Sequence, residues 1–217
     1  MFQTPISIKS LIDSVNIHYY LPAIQREFVW KEEQILNLFD SILRGYPFGS
    51  FLVWKVEGEN LGKFKFYEFL REYHQTDKHH NEKANLNGRQ AIDAILDGQQ
   101  RITSLYIALK GSLATKIPYK RWEDPTAFPK RKLFLDLHKT EEPEDDTERM
   151  YNLSFLTDEE AQEDAYIFEV GKILSMQNRD VNKYIRENSL GDDAADILSQ
   201  LFQRICVDGT INYYYEQ

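Results

Sequence analysis

The chain of 217 residues has one cysteine, Cys206, so it can close no disulfide within itself and offers no cysteine-based zinc site. That economy suits a reducing compartment, and a cytoplasmic location is expected. No apolar run approaches the roughly 20 residues that a membrane-spanning helix needs, so no membrane partner is expected. The first residues, Met1-Phe2-Gln3-Thr4-Pro5, lack a basic stretch followed by an apolar one, which excludes a signal peptide of ordinary form. Positive charge is scarce as well: 26 Lys and Arg stand against 35 Asp and Glu, a formal net charge of −9. Proteins that grip DNA over a broad face do so by neutralising phosphates with a basic surface. This chain is excluded from that class, and any contact with nucleic acid must be local. Walker A loops, Rossmann glycine patterns, nucleophile elbows and internal repeats are all missing.

What is present is a core-forming composition. Hydrophobic residues make up 42% and charged residues 28%, with 13 Tyr and 13 Phe to fill an interior. Ile35, Leu38, Phe39 and Ile42 recur at helical spacing, so the segment from Lys31 to Leu43 is predicted helical, with Glu32 and Glu33 in its first turn and Gly45 ending it. Phe51 to Trp54 is a predicted buried strand. Residues 57 to 90 have the character of a polar insertion, with a helical stretch expected around Tyr67 to Tyr73. Ala91 to Leu96 is a predicted strand broken by Asp97-Gly98. Ile102, Leu105, Tyr106 and Leu109 mark a second helix that Gly111 stops.

In the second half, Leu133 to Leu137 and Tyr151 to Leu156 are strand candidates. Glu141 to Arg149 is an acidic loop, and Thr157-Asp158-Glu159-Glu160 fits a capping box. A helix of moderate pattern is expected over Ile173 to Ile185, a stronger one over Ile197 to Ile205, and a strand from Ile211 to Tyr215.

The sharpest local signal is a strand, then Asp97-Gly98-Gln99-Gln100-Arg101, then a helix. Glycine permits a tight turn and close approach of a ligand to the backbone. The helix N-terminus offers free N–H groups and the positive end of a dipole, which suits phosphate. Arg101 adds a fork matched to phosphate oxygens. Gln99 and Gln100 can orient a ligand or a water, and Asp97 can hold a divalent ion or act as a base. An Asp-Gly turn with solvent-facing glutamines fits the same residues. A second segment, Gln25-Arg26-Glu27-Phe28-Val29-Trp30, also precedes a helix. Arg26 can meet phosphate or Asp97. If the segment is extended, residues 26, 28 and 30 share a face and both aromatics form a stacking wall; if the helix begins at Val29, Trp30 goes to the core.

Leu21 to Trp30, Ser41 to Phe51 and Ile95 to Tyr106, in that order, resemble the N-terminal domain of the GmrSD-type, modification-dependent restriction endonucleases. The resemblance covers Ile6 to Lys110, about half the chain. The resemblance implies an α+β fold, with a ParB/sulfiredoxin-like mixed-sheet core and surrounding helices. It implies binding or hydrolysis of a nucleoside triphosphate with Mg2+ or a similar divalent ion, and a role in bacterial defence against modified DNA. Site residues carried over are Gln25, Arg26, Asp97, Gly98, Gln99, Gln100 and Arg101, with Trp30 and Thr103 added on the nucleotide side and Asp97 as metal ligand. Such proteins continue into an HNH-type nuclease. Nothing after Ile211 supplies one, and His79-His80-Asn81 sits in the polar insertion without metal-ligand spacing, so DNA cleavage by this chain alone is not expected.

The expected organisation is a nucleotide-binding core over 1–115, with its insertion at about 57–90, and an α+β extension over 116–217 packed on it as one continuous domain. The strand pattern at Ile211 to Tyr215, with no turn or polar tail after it, reads as a fragment of a longer protein. The expected partners are a nucleotide and, through a local site, modified DNA; a homo-oligomer is compatible. Lys116, Lys120, Arg121, Lys130, Arg131 and Lys132 against Glu123 and Asp124 make the one local basic run, a DNA contact or a soluble loop. Alternatives are a non-enzymatic module that binds DNA or senses its modification, and a ParB-like phosphodiesterase.

Overall fold

The computed structural model describes residues 3–124, 126–138, 145, 148–161 and 164–216. The chain runs α1 (Ile8–Ser14), β1 (Tyr19–Pro22), α2 (Glu32–Leu43), β2 (Ser50–Glu57), α3 (Asn60–Lys63), β3 (Phe66–Tyr67), β4 (Glu72–His74), β5 (Ala91–Asp97), α4 (Gln99–Lys110) and β6 (Ser112–Ala114). It continues through β7 (Lys132–Asp136), β8 (Leu153–Leu156), α5 (Asp158–Ala161), β9 (Ile167–Glu169), a 3-10 segment (Val170–Ser175), α6 (Asn178–Glu187), α7 (Asp192–Phe202), a π-helical turn (Gln203–Val207) and β10 (Asn212–Glu216). The main sheet is mixed, in the order β10-β2-β5-β1-β3. β1 is parallel to β5, and β10 is parallel to β2. β2 and β5 are antiparallel, as are β1 and β3. A β4–β6 pair and an antiparallel β8-β7-β9 sheet complete the α+β fold.

The helical periodicities land where burial needs them. Ile35, Phe39 and Leu43 of α2 and Ile102, Leu105 and Leu109 of α4 are all buried. Alternation along β5 puts Ile95 in the main core, while Ile92 and Ala94 join a smaller cluster with Tyr20, Val56 and Phe66. The main core draws on both halves of the chain: Leu133, Leu135, Phe155, Leu198 and Leu201 pack in the same cluster as Ile35 and Phe39. β10 then joins the main sheet from the far end of the sequence. The box at Thr157 forms as expected, with the Thr157 N–H donating to Glu160 (2.8 Å) and the Glu160 N–H to the Thr157 hydroxyl (3.1 Å).

Two expectations are corrected. The stretch Tyr67 to Tyr73 is not helical. Phe66, Phe69 and Leu70 are spaced as in a helix, but Phe66 pairs with Pro22 at the sheet edge. Asn16 also clamps the backbone of Phe69 from both sides, donating to its carbonyl (2.9 Å) and accepting from its N–H (2.7 Å). Tertiary pairing overrides the local pattern. The expected helix over Ile173 to Ile185 is instead a 3-10 segment and then α6, restarted at Gln177, whose N–H donates to the Asp180 carboxylate (2.8 Å). Most of the acidic loop from Glu141 to Arg149 lies outside the described residues.

Three of the six cations of the basic run are held in ion pairs. Arg131 makes a two-pronged contact with Glu32 (3.0 and 2.6 Å), Lys130 meets Glu72 (2.7 Å) and Lys132 meets Asp158 (3.1 Å). Arg131 also donates to Thr115 and is nearly buried, so its loss would strand the Glu32 carboxylate. Arg131→Ala is expected to lower stability by about 2 kcal/mol, measured as a shift of the urea midpoint. An unshifted midpoint would mean the pair is only decorative.

Candidate functional site

β1 and β5 are parallel neighbours, so their carboxyl ends lie at the same edge of the sheet, the edge at which open α/β sheets hold ligands. β5 ends at Asp97. Gly98 follows in the left-handed region, with φ at 94°, and caps α4. Only glycine takes that conformation without strain, and a side chain there would run into the ring of Phe51. The first N–H groups of α4 have no partner within the helix and point out of its N-terminus.

The loop after β1 is stitched to this turn by three hydrogen bonds. The Gln25 amide donates to the Leu96 carbonyl (2.7 Å). The Gln100 amide donates to the Glu27 carbonyl (2.9 Å), and the Val29 N–H donates to the Gln100 side-chain oxygen (3.0 Å). Two segments about 70 residues apart thus form one seam, with Gln100 as a double-ended tie between them.

Arg101 joins the third block to the seam. Its guanidinium donates to the carbonyls of Phe48 and Ser50 (3.0 Å for the latter), lies 4.8 Å from the centroid of the Phe51 ring and stands 3.5 Å from the Asp97 carboxylate. The side chain is only 20% exposed, so the fork holds the turn that leads into β2. The Asp97 carboxylate, 72% exposed, keeps most of its surface open. Gln99 is buried and its side-chain oxygen has no hydrogen-bond partner among the described residues. Thr103 is buried too, its hydroxyl donating back to the Gln99 carbonyl (2.8 Å).

Arg26 points the other way in character. It is exposed, has no hydrogen-bond or ion-pair partner among the described residues, and lines a cleft of about 330 Å3. Gln25, Arg26 and Glu27 form one wall; Tyr67, His80 and Asn81 form the other. The residues between Arg26 and α2 are neither strand nor helix. Phe28 is buried edge-on against Tyr73 (5.4 Å), and Trp30 packs against the main core. Phe28 is therefore withdrawn from any stacking wall beside Arg26. The structure brings Gln25, Gly98 and Gln100 to one seam, with Arg26 on its cleft side and Arg101 on its core side.

One pair was missed by sequence reasoning. The Nδ1 of His80 lies 2.5 Å from the Glu27 carboxylate, and the His79 ring is 3.9 Å from the His80 ring. His79-His80-Asn81 is visible in the sequence, but nothing there ties it to Glu27. The link comes from β3 pairing with β1, which lays the 57–90 segment across the cleft.

No helix among the described residues is long and apolar enough to cross a membrane. The chain matches the model of the GmrSD restriction endonuclease N-terminal domain over residues 8–209, well beyond the last of the three blocks, which ends at Tyr106. It is also 32% identical over 142 residues to an uncharacterized protein of Methanocaldococcus jannaschii, covering 64% of this chain and 22% of that protein. The chain therefore spans about a fifth of the length of that relative.

Proposed function

The chain belongs to the family of GmrSD restriction endonuclease N-terminal domains, and from that premise we propose that it binds a nucleoside triphosphate where Asp97–Arg101 meets Gln25–Glu27, and hydrolyses it within a system that acts on foreign DNA. The observation that carries this reading is the seam itself: it ties the segment holding Arg26, exposed and without a partner among the described residues, to the turn that opens α4 at the carboxyl edge of a parallel strand pair. In this reading Arg26 and the first N–H groups of α4 receive the phosphates. Gln25 and Gln100 hold the loop in place, and Arg101 fixes the turn beneath it. Gly98 leaves room for close approach to the backbone.

Among the described residues no group of three His, Cys, Asp or Glu side chains is placed to hold a metal by itself. Asp97 is nevertheless open, and Mg2+ is commonly held by one or two carboxylates together with substrate phosphates and water. Asp97 would hold such an ion, which when bound supplies charge neutralisation on the phosphates.

The test is titration of ATP, GTP, CTP and UTP with Mg2+, followed by a phosphate-release assay. Arg26→Ala is expected to weaken nucleotide binding by about tenfold to a hundredfold, the size of a lost charged hydrogen bond, with unchanged melting. If the parent chain binds none of the four nucleotides yet holds DNA, the module reading replaces this one. Cleavage of a phosphodiester without any nucleotide would favour the phosphodiesterase reading. The ion pairs that hold Lys130, Arg131 and Lys132 weigh against a DNA contact by that half of the basic run.

A further inference from the structure

Resting on that nucleotide reading, we propose that the His80 imidazole is the proton acceptor for the attacking water in this cleft, with Glu27 as the carboxylate that orients it. An ionised Glu27 can only accept, so in the neutral imidazole the 2.5 Å contact assigns the ring proton to Nδ1 and leaves Nε2 as the accepting nitrogen. Nε2 has no hydrogen-bond partner among the described residues, and His80 lines the cleft. A carboxylate that fixes the tautomer of a histidine and stabilises its charged form is the arrangement general bases use.

Both members are held from behind. The Glu27 carbonyl accepts from Gln100 in the seam (2.9 Å). The next residue after His80, Asn81, donates to the Glu68 carbonyl (2.8 Å), which ties the segment to the strand edge. The pair spans the two walls, beside Arg26. Both side chains are more than half exposed, and an ion pair so placed adds little to stability. A fold-holding role is therefore a poor account of it, and its removal leaves a clean test.

The step balances as follows. Water attacks the terminal phosphorus and a P–O bond forms. The bond from that phosphorus to the bridging oxygen breaks, and the electron pair leaves on the nucleoside diphosphate. The proton of the attacking water passes to Nε2 of His80, giving an imidazolium that faces the Glu27 carboxylate. That proton is then released to solvent.

The experiment measures binding and steady-state turnover of the parent and of His80→Ala with whichever of ATP, GTP, CTP and UTP the parent hydrolyses. His80→Ala is expected to lower kcat by about a hundredfold or more, with KM within about threefold and melting unchanged. Added imidazole should restore part of kcat. Glu27→Gln is expected to lower kcat by about tenfold or more without weakening binding. A His80→Ala variant with parental kcat overturns the proposal while leaving the nucleotide reading intact, as does one whose KM alone rises. Loss of kcat with no imidazole rescue and a lowered melting temperature assigns His80 a structural role and also overturns it. A parent chain that neither binds nor hydrolyses the four nucleotides removes the underlying reading, and this proposal with it.

Discussion

Gly98→Ala is expected to destabilise the domain by about 3 kcal/mol and to abolish nucleotide binding. A non-glycine residue held in the left-handed region costs about 1–2 kcal/mol. Here the added methyl also meets the Phe51 ring. Phe51 is fully buried in the main core and packs edge-on against Phe48 (6.4 Å), so it has no room to yield. Overpacking of this kind adds about 1–3 kcal/mol. Gly58 is the control: it too has positive φ, at 58°, but nothing lies within 4 Å of the place a side chain would take. Gly58→Ala should therefore show the backbone strain alone, about 1 kcal/mol. Urea denaturation of both variants separates the two contributions. Equal midpoint shifts would mean that Phe51 moves aside, and the close-packed account of this turn would be wrong.

Arg101→Ala is expected to cost about 3 kcal/mol and to lose nucleotide binding as a consequence. From the sequence, Arg101 is a fork matched to phosphate oxygens. Its geometry assigns it a different task. The mutation frees the carbonyls of Phe48 and Ser50 and removes the cation over Phe51. Hydrogen bonds from a charged donor are worth about 1.5–3 kcal/mol each, and the stranded carbonyls are partly buried. Arg101→Lys should recover little, because an ammonium cannot reach two carbonyls in the fork geometry while lying flat on a ring. The contrast with Arg26 is the discriminating result: Arg26→Ala should lose affinity at constant melting, Arg101→Ala should lose both. If Arg101→Ala melts like the parent and still loses the nucleotide, the guanidinium leaves the turn to reach the phosphates, and the division of labour drawn between the two arginines fails.

The parts that were legible in the sequence are those set by neighbours along the chain. Ile35, Phe39 and Ile42, or Ile102, Leu105 and Leu109, declare their helices because one face must be buried. The break at Asp97-Gly98 declares a turn because the residue after Asp97 must take positive φ. The segments of Gln25 and of Asp97 to Arg101 meet through Gln25 and Gln100, while Arg101 turns to the carbonyls of Phe48 and Ser50 and Arg26 lines the cleft. The misread features depend on partners far away. Asn16 turns the helical spacing of Phe66, Phe69 and Leu70 into extended chain, and no window around Phe69 contains Asn16. Of the six cations between Lys116 and Lys132, Lys130, Arg131 and Lys132 meet Glu72, Glu32 and Asp158 from other elements, which the run itself does not show. Glu27 and His80 acquire a relationship only through a two-residue strand, β3, too short to leave a pattern.

The order of the main sheet also carries a timetable. β2 is flanked by β5, which follows it closely in sequence, and by β10, whose Asn212 pairs with Ser50 across about 160 residues. Closing so wide a loop for a parallel pairing is slow, because the entropy is lost before the contacts that repay it exist. During synthesis β2 must wait with one edge bare while everything between Glu57 and Asn212 is made. An unpaired edge is what other chains recognise when they aggregate. A nascent chain of this protein is therefore most exposed to misassembly along Ser50–Glu57, the strand whose first residue Arg101 already grips.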